Sequence, residues 1–258
     1  MRKSVLAITV LTMMFAQSST AQTRVKNLYT ESPSFKVEQV ENTAQTVQVN
    51  RYFFAGYNTL CLPMSMNASQ LDKVCKDLRV ERLETIRQEG QTLCLYFVDC
   101  TSEGIEAGVP YLVYSPRTQY LRVKNTEVDG VNTELKTIRM ADGEGNQVAF
   151  SSSWEIKNKD GLYGIPAKQN VTPLESVLVR TTTDQSFLPT RCGISWEHQS
   201  QSANDIEIRH ISASDATAIR SIPTTNRNTS GMVFDLNGRR VNDNQRGLYI
   251  KNGKKVVK

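Results

Sequence analysis

The sequence predicts an all-β protein, an immunoglobulin-like or related β-sandwich with one short helix and a short C-terminal β-hairpin tail. Short runs rich in β-branched and aromatic residues recur along the 258-residue chain, and turn residues separate them. A single stretch has helical periodicity. The composition, 39% hydrophobic and 22% charged, is typical of a globular protein and excludes coiled coils, collagens and disulfide-dense miniproteins.

The first 21 residues are predicted to be a secretory signal peptide. Arg2 and Lys3 precede a run of about a dozen mostly apolar residues, which is shorter than the ~20 that a membrane anchor needs. The small residues Ser19 and Ala21 fit a signal peptidase, so cleavage is expected between Ala21 and Gln22. The mature chain, residues 22 onward, is predicted to contain no transmembrane segment.

The β-sandwich body is predicted to span residues 22–218. Its expected strands lie between turn residues: Thr46–Tyr52, Thr59–Leu62, Arg79–Arg87, Thr92–Cys100, Tyr111–Tyr114, Leu121–Lys124, Glu134–Met140, Gln147–Phe150, Ser176–Arg180 and Asp205–Ile211. The dipeptides Glu89-Gly90, Asp129-Gly130, Asp142-Gly143 and Asp160-Gly161 supply the positive φ of tight turns. Both faces of Thr92–Cys100 are apolar, which predicts a central strand.

One amphipathic helix is predicted after Ser69. Ser69 and Asp72 resemble a capping box, and the apolar residues that follow have a spacing of three and four. Cys75 is expected to face the core, while Lys73 and Lys76 face water. Such a helix is expected to cover one edge or end of the sandwich.

The C-terminal 40 residues are predicted to be a linker, residues 219–230, followed by a four-stranded β tail, residues 231–258. The linker contains Pro223 and many small polar residues. In the tail, Asn237-Gly238 and Asn252-Gly253 each lie between two β-like runs. Because Asn-Gly accepts the left-handed φ of a type I′ turn, each predicts a hairpin.

This tail resembles the C-terminal sorting domain of type IX secretion in Bacteroidetes. The resemblance covers about 28 residues and rests on an ordered set of motif positions, namely Asp235, Gly238, Arg239, Gly247, Tyr249 and the terminal Lys258. In that family an outer-membrane translocon reads the tail, which is then commonly removed or exchanged for a surface anchor. The resemblance implies export machinery as a partner of the C-terminal tail, and the predicted signal peptide implies it at the N-terminus.

A second resemblance lies in the body. Residues 57–63 (YNTLCLP) and 105–113 (IEAGVPYLV) are similar to a recurrent β-sandwich module in secreted Bacteroidetes proteins. The module implies a fold and an exported location, with no activity to carry over. The expected location is the cell surface or the extracellular medium, with the periplasm as the alternative.

The net charge of +5 does not predict nucleic-acid binding, because it is unevenly distributed. Residues 231–258 hold seven cations against two anions, and two more cations lie in the signal peptide. The body is therefore close to neutral and has no basic footprint for a phosphate backbone.

The five cysteines leave the disulfide state open. Cys94 and Cys100 lie on one predicted strand, where they would be ~20 Å apart, beyond the ~7 Å limit between bridged Cα atoms. That pair is therefore excluded without a turn between them. Small buried thiols are the other interpretation.

No catalytic residue, cofactor site or metal ligand is predicted. The chain has two histidines. Glu197 and His198 are adjacent, and neighbours on a strand point to opposite faces, so they are not expected to form an oriented base. The glycine-rich and acidic segments each lack an essential position of a nucleophile elbow, a dinucleotide fingerprint or a calcium loop.

The function expected from the sequence is that of a non-catalytic surface or extracellular module that binds a ligand or mediates adhesion. A surface glycan or a host or bacterial protein would be the partner. Trp154 and Trp196 are the candidate glycan-stacking residues, with core packing as the alternative role for each. A small extracellular glycan- or peptide-acting hydrolase and a self-assembling structural subunit are the alternative functions.

We expect deletion of residues 231–258 to trap the protein in the periplasm, because the deletion removes the predicted sorting signal and leaves the predicted body whole. Cell fractionation with an antibody against the body measures this. Unchanged levels of the truncated chain at the surface or in the medium would contradict the assignment of the tail.

Overall fold

The computed structural model describes residues 24–41, 44–158, 160–166, 178–182, 186–200 and 203–220, and four short strands between residues 233 and 257. The chain divides into two compact units, residues 1–216 and residues 217–258. The predicted signal peptide, its cleavage point at Ala21 and Gln22, and linker residues 221–230 lie outside the described residues.

The described residues of the first unit form mainly β-strands. In chain order they are β1 (Lys26–Tyr29), β2 (Val47–Phe53), β3 (Gly56–Leu60), β4 (Met64–Ser65), β5 (Arg79–Glu89), β6 (Thr92–Asp99), β7 (Tyr111–Ser115), β8 (Gln119–Lys124), β9 (Gly130–Val131), β10 (Ile138–Ala141), β11 (Gln147–Ser152), β12 (Lys157–Asn158), β13 (Tyr163–Gly164), β14 (Val179–Arg180), β15 (Ser186–Phe187), β16 (Cys192–His198) and β17 (Asp205–Ile211).

Helical structure in the described residues is short. The helix α1 spans Ala68–Val74, and α2 spans Ala213–Arg220 and so includes the first two residues of the predicted linker. A 3₁₀ helix occupies Val37–Gln39. None of the described helices is long and apolar enough to cross a membrane. The predicted all-β class is confirmed, whereas α2 was not predicted.

Three sheets build the first unit. Two have five strands, in the orders β17-β6-β5-β7-β3 and β10-β11-β16-β13-β14, and the third has the order β1-β2-β8. The pairs β4-β9 and β12-β15 form two-stranded sheets. Strand β6 lies between its parallel neighbour β17 and its antiparallel neighbour β5, which confirms the prediction that Thr92–Cys100 contains a central strand.

Two hydrophobic cores lie on opposite faces of the sheet that contains β7. Leu112 belongs to a core shared with Phe150 and Ile194 of the second five-stranded sheet. Its neighbour Val113 belongs to a core shared with Val49 of the three-stranded sheet. Successive side chains on a strand point to opposite faces, so β7 contributes to both cores. This sheet is therefore the middle of three layers.

The cap of α1 differs from the prediction. The Asn67 side chain accepts a hydrogen bond from the Gln70 backbone N–H (3.0 Å), and the Gln70 side chain accepts one from the Asn67 backbone N–H (2.9 Å). This capping box starts the helix at Ala68, so Ser69 lies inside it. Asp72 instead pairs with Lys76 one turn later. Cys75 is buried, as predicted.

Two predicted local features are wrong. Gly130 does not have the positive φ expected of Asp129-Gly130, because it pairs with Ser65 as part of β9. The strand predicted from Glu134 begins only at Ile138. The backbone N–H of Lys136 instead donates to the Gly108 carbonyl, outside any strand. In both places a tertiary partner decides the backbone conformation.

The second unit is a four-stranded sheet, as predicted. Its strands are β18 (Val233–Phe234), β19 (Arg240–Val241), β20 (Leu248–Lys251) and β21 (Lys254–Val257), in the order β19-β18-β20-β21. Lys251 pairs with Lys254, which leaves the two-residue connection expected at Asn252-Gly253. Phe234 pairs with Arg240, so the first connection has five residues rather than two.

One residue of the tail motif, Tyr249, is described, and it lies in β20 opposite Val256. The other motif positions lie outside the described residues, namely Asp235, Gly238, Arg239, Gly247 and Lys258. Tyr249 is therefore the one position of the predicted motif that the described residues locate, on a small antiparallel sheet.

All five cysteines are free and buried. Burial raises the pKa of the thiols at positions 75, 100 and 192 to about 12. Since the thiolate is the reactive form, these side chains are small buried apolar groups and not nucleophiles.

We expect the free energy of unfolding to fall as the pH rises above about 9. The folded-state pKa of Cys192 is raised, so its thiol stays protonated in the fold while the unfolded chain loses the proton. The stabilisation by the protonated thiol is complete below pH ~9. Between pH ~9 and pH ~12 the free energy of unfolding falls by about 1.4 kcal/mol per pH unit for one thiol. Urea denaturation at several pH values measures the slope. Cys192→Ala should make it shallower, and an unchanged slope would contradict the assignment.

Candidate functional site

A buried arginine lies where the three sheets meet. Arg51 of β2 has no solvent-exposed side-chain surface. Its guanidinium Nη1 contacts the Glu31 carboxylate at 3.3 Å, and its Nη2 donates to the backbone carbonyl of Thr59 at 3.2 Å. In the described part of the chain its Nε has no hydrogen-bond partner. Arg51 thus links the three-stranded sheet to β3 of the middle sheet.

Thr59 continues this junction to the second five-stranded sheet, which contains β16. Its hydroxyl accepts a hydrogen bond from the Cys192 N–H at 2.8 Å and donates to the Cys192 carbonyl at 3.2 Å. Nearby, the Cys61 N–H donates to the Thr190 carbonyl at 3.0 Å. These bonds hold the end of β3 against the start of β16. The turn that precedes β16 is therefore anchored from the middle sheet.

The junction contains more positive than negative charge among its described side chains. Burial, followed by the charge of Arg191, lowers the pKa of Arg51 to about 9. The pKa of Arg191 is also lowered, because the effect of burial is larger than the opposing effect of the Glu31 carboxylate. Glu31 also accepts hydrogen bonds from the Tyr52 N–H and the Thr30 hydroxyl. Two guanidinium groups therefore share one carboxylate in a low-dielectric environment, which is unfavourable without a further anion.

The turn at Leu188–Arg191 is strained at Thr190. This threonine is fully buried and has φ +67°, in the left-handed region that β-branched residues rarely occupy. In the described structure its hydroxyl has no hydrogen-bond partner. The Thr190 N–H donates to the Ser153 carbonyl at 3.2 Å, and the Arg191 N–H donates to the Leu188 carbonyl at 3.2 Å. Such strain persists only where surrounding contacts impose it, and it marks a candidate functional site.

Residues of this turn line two cavities. The first, a cleft of about 560 Å³, is lined by Pro189 of the turn and by Trp154. The second has a volume of about 300 Å³ and is lined by Leu188 and Arg191. Both volumes fall in the ~300–1,000 Å³ range of small-molecule sites. We define the candidate site as the turn together with these two cavities.

The first cleft combines an aromatic ring with charged side chains. Trp154 is half-buried and packs against both cores, and its indole N–H donates to the Thr133 carbonyl at 2.6 Å. Lys36, Glu38 and Glu155 also line the cleft. The hydrogen bond to Thr133 fixes the ring while part of it remains open to the cleft. Of the two predicted stacking residues, Trp154 therefore lies in a cavity.

The other predicted stacking residue, Trp196, lies outside both cavities of the candidate site. It packs against the core between the two five-stranded sheets, with its ring centroid 6.3 Å from that of Tyr163. Its indole nitrogen is buried and has no hydrogen-bond partner among the described residues. Trp196 therefore packs against the core, which is the alternative role that the sequence left open.

The histidines do not join the candidate site. His198 is exposed at the end of β16, and its neighbour Glu197 pairs with Arg139 at 3.5 Å. His210 of β17 instead contacts the buried carboxylate of Glu81 at 2.6 Å, and the ring of Tyr57 stacks on it at 4.5 Å. This contact ties β17 to β5 across β6.

Sequence reasoning missed the charged junction. The signal for Arg51 was present, since it takes a place in the alternating series Val47, Val49, Arg51 and Phe53 that otherwise faces the core. No local signal marked Thr190 or Arg191, because their burial depends on strands that are distant in sequence. No group of three or more acidic, cysteine or histidine side chains that could hold a metal occurs within the described ranges.

The comparisons with known proteins returned no match: no family model, no curated protein and no solved structure is similar to this chain at the significance required.

We expect glycine to be more stabilising than alanine at position 190, because only glycine adopts the positive φ without a Cβ clash. The Thr190→Gly variant should exceed Thr190→Ala by about 1 kcal/mol in free energy of unfolding. Urea denaturation measures the difference. Ser195 inside β16 serves as the control. There the alanine variant should be more stable than the glycine variant, as is usual within a strand. The usual order at position 190 would contradict the strain.

Proposed function

We propose that this protein is an exported, non-catalytic β-sandwich module that binds a glycan in the cleft at Trp154. The observation that carries the proposal is the half-open indole of Trp154 inside a cleft of about 560 Å³. Sugar rings have apolar C–H faces that stack on aromatic side chains, whereas their hydroxyl groups need polar partners at the edge of the ring. The cleft offers both kinds of contact.

The polar partners in the cleft are well suited to sugar hydroxyls. Glu38 and Glu155 supply acceptors, and Lys36 supplies donors. The segment that carries Lys36 and Glu38 is held on the protein by its buried neighbours Phe35 and Val37. A ring that is held by a hydrogen bond and a backbone segment that is anchored by buried residues lower the ordering cost of binding.

Delivery outside the cell is part of the same proposal. It rests on the signal-peptide pattern of residues 1–21 and on the likeness of residues 231–258 to type IX sorting tails of Bacteroidetes. The export machinery would then be a partner at both ends, and the location would be the cell surface or the medium, with the periplasm as the alternative. A glycan ligand agrees with a protein that works outside the cytoplasm.

A second candidate function is that of a small extracellular glycan-acting hydrolase. Two carboxylates, Glu38 and Glu155, line the same cleft, and most glycosidases use a pair of carboxylates. We favour binding because both carboxylates lie beside the aromatic ring in an open cleft, where they serve equally as hydrogen-bond acceptors. The two functions differ in one measurable property, which is turnover.

We expect the fluorescence of Trp154 to respond to a glycan ligand. The chain has two tryptophans, so Trp196→Phe leaves Trp154 as the single indole. Titration of this variant with a panel of soluble oligosaccharides should shift or quench its emission for at least one member, because a stacked sugar displaces water from the ring. Trp154→Phe, which retains Trp196, is the matched control and should show no change. Calorimetry with Trp154→Ala should show a loss of affinity of about tenfold.

The same panel separates the proposals. If no oligosaccharide binds, or if Trp154→Ala binds as tightly as the natural chain, the glycan proposal is wrong. Release of reducing ends, abolished by Glu38→Gln or Glu155→Gln, would favour the hydrolase instead.

A further inference from the structure

The second cavity of the candidate site is mostly apolar. Among the described residues that line it, Ile165, Val179, Phe187 and Leu188 are apolar, Thr181 and Ser186 carry hydroxyl groups, and Arg191 is the cationic residue. Its volume of about 300 Å³ is at the lower end of the range for small-molecule sites. A mostly apolar cavity with one cationic residue favours a ligand that has a hydrocarbon part and one anionic group.

Among the described residues, the charge of Arg191 is offset only by Glu31, which Arg51 shares. None of the described side chains forms a hydrogen bond or an ion pair with its guanidinium. The nearest counter-charge is Glu31, which contacts Arg51 and also accepts from the Tyr52 N–H. Burial lowers the pKa of Arg191, and the charge of Glu31 opposes this shift. A half-buried arginine with an open fork of N–H donors is well suited to a carboxylate, which it can hold through two parallel hydrogen bonds.

Neighbouring residues hold Arg191 in this position. Its backbone carbonyl accepts a hydrogen bond from the Ser152 hydroxyl at 2.8 Å, and its N–H closes the strained turn on Leu188. The next residue, Cys192, is fixed by the hydroxyl of Thr59. These bonds fix the backbone of Arg191 and therefore the point from which its side chain extends.

We propose that this second cavity binds a small amphiphilic monocarboxylate of the medium-chain fatty-acid class. The carboxylate would lie on the Arg191 guanidinium, and the hydrocarbon chain would lie against Phe187, Leu188 and Val179. The proposal goes beyond glycan binding, because it concerns a different cavity and a ligand of different chemistry. A free phosphate fits less well, since it has no hydrocarbon part to cover the apolar wall residues Phe187, Leu188 and Val179.

The test compares decanoate with decan-1-ol on the full natural chain, both below the concentration at which they form micelles. The two probes have the same hydrocarbon chain and differ in charge. We expect isothermal calorimetry to show that decanoate binds at least tenfold more tightly than the alcohol. Equal affinities would overturn the proposal, as would no detectable binding of decanoate. This comparison requires no substitution and so does not depend on the folding of a variant.

Charge removal at two positions then locates the site. Arg191→Gln should weaken decanoate binding by roughly thirtyfold or more, the loss expected when one partner of a desolvated charge pair is removed. Arg180→Gln is the matched control, because Arg180 is exposed and is not among the residues that line the cavity. It should change the affinity less than twofold. Equal losses in both variants would indicate a general charge effect and overturn the assignment to Arg191. Because oligosaccharide binding is measured separately at Trp154, failure of either proposal leaves the other standing.

Discussion

The burial of Arg51 is the constraint on which the arrangement of the three sheets depends. A guanidinium without solvent needs hydrogen-bond acceptors and a counter-charge, and Arg51 takes them from Glu31 before β2 and from the carbonyl of Thr59 in β3. Thr59 in turn bonds both backbone groups of Cys192. A break in this chain of contacts would leave a buried charge without its partners. The contacts therefore specify how the sheets of the first unit meet.

The same constraint produces the candidate site. Because the start of β16 is fixed on β3, the preceding turn must reverse within a short distance, and Thr190 takes a left-handed conformation to do so. The two cavities at this turn then differ in chemistry. One has an indole with charged neighbours, and the other has mostly apolar walls with one guanidinium among its described residues. The two proposed binding sites thus lie at one structural junction.

Sequence patterns were sufficient where the determining contacts are local. The alternation in Thr92–Cys100 identified a central strand, and the spacing around Leu71 and Cys75 identified a helix with its buried face. Asn252-Gly253 identified a two-residue hairpin connection. The patterns failed at Gly130, where pairing with Ser65 extends the backbone. They also failed at the cap of α1, where Asn67 and Gln70 form the capping box that had been predicted at Ser69.

The amino-acid sequence by itself determined the all-β class, the central strand and the tail of four strands, since turn propensities and side-chain alternation act over a few residues. It also supplied Trp154 as a stacking candidate. Tertiary structure alone decided that Trp154 lies in a cleft while Trp196 packs in a core, and that Arg191 lines a mostly apolar cavity. The reason is physical: burial and charge pairing depend on which strands become neighbours, and β3 and β16 meet across about 130 residues of chain.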